Sequence, residues 1–361
     1  MGGHVFQELV QRLAQLEADL EAQRRLLNQL CPYVADTSTI GGLGPEFGNE
    51  NGRGKWQQGI LADNGKIYGI PESSSTVLII DPATNAVDTD ALAGVGTAPL
   101  KWVGGVLALK KIYGIPFQAP AVLIIDPQTN ATDTSAIAGF ASGGNKWSGG
   151  VLGRNGKIYG IPRTSRAVLI VDPATNTSDT QAISVPQGSG AWMGGVLGRN
   201  GKIYAIPETS SSVLIIDPAS STADVTSISG LNDGTSPGSQ KWRFGVLADN
   251  GKIYGVPLDS PAVLVIDPAH NTAETTAMAG LTGITKWEDA ALGTDGRIYC
   301  FPHDATSVLI IDPATNTTDR TSITPPADTL WKGGALAANG NIYGIPSSAS
   351  SVLILKRKCS N

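Results

Sequence analysis

The residues best suited to chemistry sit close together late in the chain. Glu288 and Asp289 follow Trp287, and His303 and Asp304 follow Phe301-Pro302. With Glu208 from an earlier stretch they form a set of oxygen and nitrogen donors for a divalent cation. Such a cation would polarise a carbonyl or activate water. The spacing matches no recognised ligand motif and the chain holds 3 histidines, so a solvated loop competes with the metal reading. A second set is the tryptophans: Trp56, Trp102, Trp147, Trp192, Trp242, Trp287 and Trp331. Lys55, Lys101, Lys146, Lys241 and Lys286 each precede one of them. Indole faces beside lysines would suit sugar rings and anionic glycans. A regularly placed Trp equally supplies packing area and an N–H to satisfy, and that reading is preferred. A third set follows Ile-Pro or its equivalent: Glu72, Phe117, Arg163, Glu208, Leu258, His303 and Ser347. Folding requires no such mixture, so Glu72, Arg163, Glu208 and His303 join the candidate ligand-binding residues. No GxSxG, HExxH, P-loop or CxxC pattern occurs.

These residues are positioned by a sentence repeated seven times, plainest at 146–179: KWSGGVLGRNGKIYGIPRTSRAVLIVDPATNTSD. The tryptophans recur at spacings of 46, 45, 45, 50, 45 and 44. A period in the mid-forties with several strand-like segments per unit predicts a β-propeller. Each copy reads as strand A (WxGGVL), B (KIYGIP), C (SxVLIID) and D (xxDTxxI). Asn-Gly between A and B, as at Asn64-Gly65, suits a two-residue type I′ turn. Copy two reads Leu109-Lys110-Lys111 there and has lost the turn residues. Asp-Pro-Ala-Thr-Asn between C and D is turn chemistry and lacks the alternating ligands of a calcium loop. Continuously apolar C strands fit blades packed on both faces.

The last copy ends after strand C, and residues 34–40 carry the DTSxI core of a D strand. That segment is expected to close the last blade as a clasp, giving an all-β, seven-bladed propeller with four-stranded blades. Aligning the clasp places Cys31 and Cys359 in one C–D turn, which predicts a disulfide. Free thiols, or Cys31 bridging two chains, are the alternatives. Cys300 reads as a small buried residue. The sequons at Asn130, Asn176 and Asn316 follow from the repeat.

Residues 4–31 lack Pro and internal Gly and are rich in helix formers. Phe6, Leu13, Leu20 and Leu27 fall at heptad position a; Leu9, Leu16, Gln23 and Leu30 fall at d. Arg12 with Glu17 and Asp19 with Arg24 would make opposite-sign g–e′ pairs in a parallel coil. The domain division is therefore a coiled-coil helix over 1–31, self-associating through residues 5–30, and a propeller over 32–361. A helix lying on its own ring is the competing reading.

The sentence KWxGGVLxxNGKIYGIPxxSxxVLIIDPATNTxDT resembles repeat arrays of microalgal proteins. The resemblance implies a propeller and no catalytic residues. The acidic mouth proposed for copy six is similar to the channel sites of propeller sugar-lactone hydrolases, which implies a metal-dependent hydrolase or lyase as the second reading.

Composition narrows the rest. A hydrophobic share of 41% is that of a globular chain. A net charge of −5 argues against broad nucleic-acid binding, which needs a basic surface. No apolar run reaches the ~18 residues of a membrane span, and the first residues show no secretory signal, so a soluble protein of unassigned compartment is expected. The expected function is a non-catalytic, multivalent and lectin-like binding or scaffold protein. Its protein or glycan partner would meet the D–A and B–C loops, with no cofactor beyond a divalent metal in the second reading.

Overall fold

The computed structural model describes residues 2–44, 54–186, 190–233, 235–236, 238–326 and 330–359. The side chains of Glu17, Arg24 and Leu27, named above, lie outside the described residues. Seven four-stranded antiparallel sheets form the ring. Blade 1 shows the pattern: A is Trp56–Leu61, B is Ile67–Pro71, C is Leu78–Asp81 and D is Ala86–Asp88. The B and C strands bury nearly every residue, and side chains of adjacent blades interleave between the sheets. One such layer joins Tyr159, Ile161 and Ile170 of blade 3 to Trp192, Ile203 and Leu214 of blade 4.

The innermost strand is shaped by close approach. A Cβ on Gly105 would fall 2.7 Å from Ile70 of the preceding blade, and one on Gly150 2.7 Å from Ile115. Copy six carries Ala290 at this position, and the blade before it carries Val256 in place of Ile, which leaves room for the methyl.

The last blade is closed by the N-terminus. Tyr33–Asp36 pairs with Leu353–Arg357 in the register Tyr33↔Arg357 and Asp36↔Ile354. The strand is shorter than the expected 34–40. Asp36 Oδ1 accepts the N–H groups of Ser38 (2.8 Å) and Thr39 (3.2 Å), turning the chain out of the ladder. Ile40 still docks, its carbonyl accepting the N–H of Val352 at 3.0 Å. Asp88, Asp133, Asp179, Asp224 and Asp319 make the same cap in other copies. Cys31 and Cys359 form a disulfide in the closing turn, with S–S 1.98 Å.

The A–B turns correct one expectation. The Gly65 N–H bonds to the carbonyl of Ala62 (2.9 Å), and Gly65 has φ 78°. Among the residues of this turn only the glycine is left-handed, so it is a three-residue loop with a glycine bulge and not a type I′ turn. Copy two is the one that adopts the two-residue form. It has one residue fewer, Ala108 pairs with Lys111, and Leu109 (φ 47°) and Lys110 (φ 65°) are both left-handed.

Ahead of the ring stands one helix, Gly2–Leu30, of 29 residues. Phe6 (68% exposed), Leu9 (59%), Leu13 (58%), Leu16 (66%), Leu20 (52%) and Leu30 (50%) all face solvent, so the helix does not lie on its own ring. No helix among the described residues is long and apolar enough to cross a membrane.

Candidate binding site at the propeller mouth

The tryptophans are buried, none more than 4% exposed. Each indole N–H donates to a backbone carbonyl in the B–C loop of its own blade: Trp56 to Thr76, Trp102 to Ala121, Trp147 to Ala167 and Trp192 to Ser212. Trp242 likewise donates to Ala262, Trp287 to Ser307 and Trp331 to Ser351. No indole presents an open face for a sugar. The lysines are equally engaged with loop carbonyls. Lys101 donates to Ser74 and Ala98, and Lys286 to Leu258, Ser260 and Gly283. Burial beside neutral carbonyls pulls both ammonium groups down to about 8.

The residues that diverge between copies meet around the axis. Two rings of positions build this mouth: the residue after Ile-Pro and the residue after Trp. The second ring reads Gln57, Val103, Ser148, Met193, Arg243, Glu288 and Lys332, and sequence reasoning had singled out only Glu288 from it. The signal was the same free editing that marked the first ring. Together the rings divide the mouth by polarity. Val103, Phe117, Met193 and Phe244 make an apolar side, and the charged residues make the other.

On the charged side the protein supplies its own counter-ions. Arg163 grips Glu208 through two bonds of 2.7 and 3.2 Å, and Arg243 reaches the same carboxylate at 2.8 Å. Arg243 also lies 3.1 Å from Glu288, which accepts a further bond from Gln57 at 3.1 Å. Lys332 holds Glu72 at 3.1 Å. Burial pushes Glu288 up, but Lys332, Arg243 and His303 outweigh it and hold the carboxyl at about 2. Burial pushes Arg243 and Lys332 down, yet the surrounding glutamates outweigh it and raise both. Glu72 goes the other way: burial raises it against the pull of Lys332.

Asp289 lacks such a partner. Burial pushes it up to about 7, against the pull of the Ala290 N–H and with the push of Glu288. The innermost strands of adjacent blades approach closely around the mouth. A Cβ on Gly333 would meet Asp289 Oδ2 at 2.6 Å and Gln58 Cα at 2.9 Å. A Cβ on Gly104 would meet Gly149 at 2.8 Å, and one on Gly194 would meet the Phe244 ring at 2.6 Å.

The copy-six quartet does not converge on one point. His303 Nε2 is 3.6 Å from Glu288 Oε2, and its Nδ1 is 2.9 Å from Asp304, whose side chain is 60% exposed and turned outward. Glu288 Oε2 is buried without a hydrogen-bond partner. Among the described residues no three His, Cys, Asp or Glu side chains are grouped to hold a metal ion. Arg243 and Gln57 both contact the other oxygen of Glu288, Oε1.

A closed seven-bladed ring with a self-neutralised mouth is the class of protein this geometry defines. No family model and no curated protein matches the sequence. Among solved structures the chain is similar to a streptogramin B lyase (TM-score 0.68, 11% identity, 90% of this chain and 98% of that one). It is also similar to a selenomethionine-substituted virginiamycin B lyase from Staphylococcus aureus (TM-score 0.67, 10% identity, 90% and 99%). A third match is YCF48 bound to a peptide (TM-score 0.60, 9% identity, 91% and 96%). At these identities the likeness is one of fold.

Proposed function

We propose that the chain is a non-catalytic binding protein whose ring presents its D–A and B–C loop face from a helical, self-associating stem. The observation that carries this reading is the helix. Six large apolar side chains at its a and d positions are exposed, whereas nearly all other large apolar side chains are packed. A heptad stripe of that kind is stable in water when a second copy covers it. Copies joined in this way would bind a multivalent partner with raised avidity and no new contact. The mouth supports the non-catalytic part, since its glutamates are held by Arg163, Arg243 and Lys332. A glycan partner would have to be recognised without indole stacking, by loop hydroxyl and amide groups, and a glycan-binding screen tests that.

A second reading, a metal-dependent hydrolase or lyase, is favoured by one pair of facts. Burial pushes the Asp289 carboxyl up to about 7, and Glu288 keeps one buried oxygen without a hydrogen bond. Metal analysis of the purified chain separates the two. The binding reading predicts no stoichiometric ion; one ion per chain that is lost in Glu288→Ala would replace it with the enzyme reading.

A further inference from the structure

The A–B turns share one face of the ring with the C–D turns, opposite the D–A and B–C loops. One sector of that face departs from the rest. Copy two places Leu109 and Lys110 in a two-residue turn, with left-handed backbone (φ 47° and 65°) that residues other than glycine, asparagine and aspartate seldom adopt. Asn-Gly is the pair such a turn favours. Neither side chain offsets the strain by packing, since Leu109 is 66% exposed and Lys110 also faces solvent. Beside this turn the innermost strand of blade 3 ends at Leu152. In the other six copies the equivalent leucine packs into the layer between its own blade and the one before. These are Leu61, Leu107, Leu197, Leu247, Leu292 and Leu336. Leu152 stays out of its layer and is 37% exposed. Among the described residues the ring exposes three large apolar side chains, Leu109, Leu152 and Ile284, and Ile284 lies on the opposite face.

Cations surround the two leucines. The A–B turns of blades 2, 3 and 4 carry Lys110, Arg154 and Arg199, all exposed. Arg154 donates to the Arg199 carbonyl and Arg199 to the Asp249 carbonyl, so each guanidinium reaches along the face to the next turn and keeps further N–H groups to donate. Lys111, Lys157 and Lys202 close by are matched with Asp126, Asp172 and Asp217 at 3.7, 3.6 and 3.4 Å. Lys110, Arg154 and Arg199 make no ion pair among the described residues. Exposed apolar side chains rimmed by charge mark interaction sites, and arginine matches carboxylates through parallel N–H bonds. The chain carries a net charge of −5, so general attraction does not bring an acidic partner here. Asp63 and Asp249, exposed in the turns of blades 1 and 5, bound the arc on either side. An anionic bilayer laid across the whole face would meet both carboxylates, whereas a narrow acidic segment fits between them.

We propose that the A–B face of blades 2 to 4 binds an acidic segment of a partner protein. Its carboxylates meet Lys110, Arg154 and Arg199, and an apolar side chain within it covers Leu109 and Leu152. This surface goes beyond the binding reading of the opposite face and rests on neither that face nor the stem. The test is fluorescence anisotropy of the full chain with a short fluorescein-labelled peptide that alternates glutamate with leucine. The expected result is saturable binding of one peptide per ring at low salt, weakened at least tenfold at high salt. Lysine in place of glutamate in the peptide abolishes it, and serine in place of leucine weakens it several-fold. Arg154→Glu lowers the affinity at least tenfold. Leu109→Asn/Lys110→Gly lowers it as much while the thermal midpoint stays level or rises, because the favoured turn is installed. Ile284→Ser changes nothing. The proposal is overturned by absence of saturable binding, by binding that Arg154→Glu and the turn variant leave intact, or by a turn variant with a lowered midpoint, which would give the pair a structural role. It is equally overturned if the chain sediments with phosphatidylcholine vesicles containing phosphatidylserine and ignores the peptide.

Discussion

Arg243 is the side chain on which the mouth depends. It touches Glu208 and Glu288, both at most 1% exposed, so Arg243→Met takes from buried Glu288 the guanidinium it bonds and leaves Glu208 to Arg163 alone. Breaking a buried pair in this way costs about 3–5 kcal/mol, and chemical denaturation should show a loss of that size. Asp289 contributes to the pH dependence between pH 4 and 7. Burial pushes its carboxyl up to about 7 from the ordinary 3.8, so between those values the folded chain holds a proton that the unfolded chain releases. Stability therefore falls as pH rises from about 4 to about 7 and levels off above. Glu288, held at about 2 against the ordinary 4.5, opposes this with stabilisation that is present above 4.5 and lost as pH falls towards 2. Asp289→Asn should remove its share of the decline between pH 4 and 7, leaving the part that Glu72, also raised by burial, contributes. It should leave the variant more stable than the parent at pH 8, by at most on the order of 4 kcal/mol, with little difference at pH 4. Urea midpoints across this range check it. The sequence pointed to Glu72, Glu208, Glu288 and His303 because folding does not explain their variety. It could not reveal that Lys332 neutralises Glu72, since the two are 260 positions apart and meet only because the ring closes. The carboxylates were legible in the sequence; the side-chain cations beside them, Arg243 and Lys332, were not.

Among the elements, the clasp was legible because a repeat that lacks its last word needs it from elsewhere. Where the clasp strand stops was not legible, since Asp36 ends it through a side-chain cap. One edit in copy six is explained by the same closure. In blades 1, 4, 5 and 7 the turn asparagine bonds its own Tyr and the Pro carbonyl of the next blade, as Asn64 does with Tyr68 and Pro127. Blade 6 faces the clasp, where Arg357 stands 3.6 Å from Asp295. A carboxylate replaces the amide because its neighbour is a cation and not a carbonyl. Arg357 also covers the Tyr33 ring at 4.7 Å and donates to the Cys31 carbonyl at 2.9 Å. The disulfide beside it joins residues 328 positions apart, so Cys359→Ser frees the ends of nearly the whole chain. A loss of about 2–5 kcal/mol is expected, read as a lower thermal midpoint that reductant reproduces in the parent and does not deepen in the variant.

The molecule as a whole is a rigid frame with its information in the departures from the repeat. Buried tryptophans, lysines that tie loops and Asn-Gly turns explain the frame. The mouth, the blade-2 turn and the helix are where composition and spacing departed from it. The helix runs directly into the ring, because Leu30 is followed by the bridged Cys31 and the clasp begins at Tyr33. The most direct test of this account is the solution mass of the intact chain by multi-angle light scattering. The account predicts a small integer multiple of 37.3 kDa that collapses to one copy in Leu13→Asp/Leu20→Asp while the ring stays folded. A parent chain that runs at 37.3 kDa across the concentration range would contradict it.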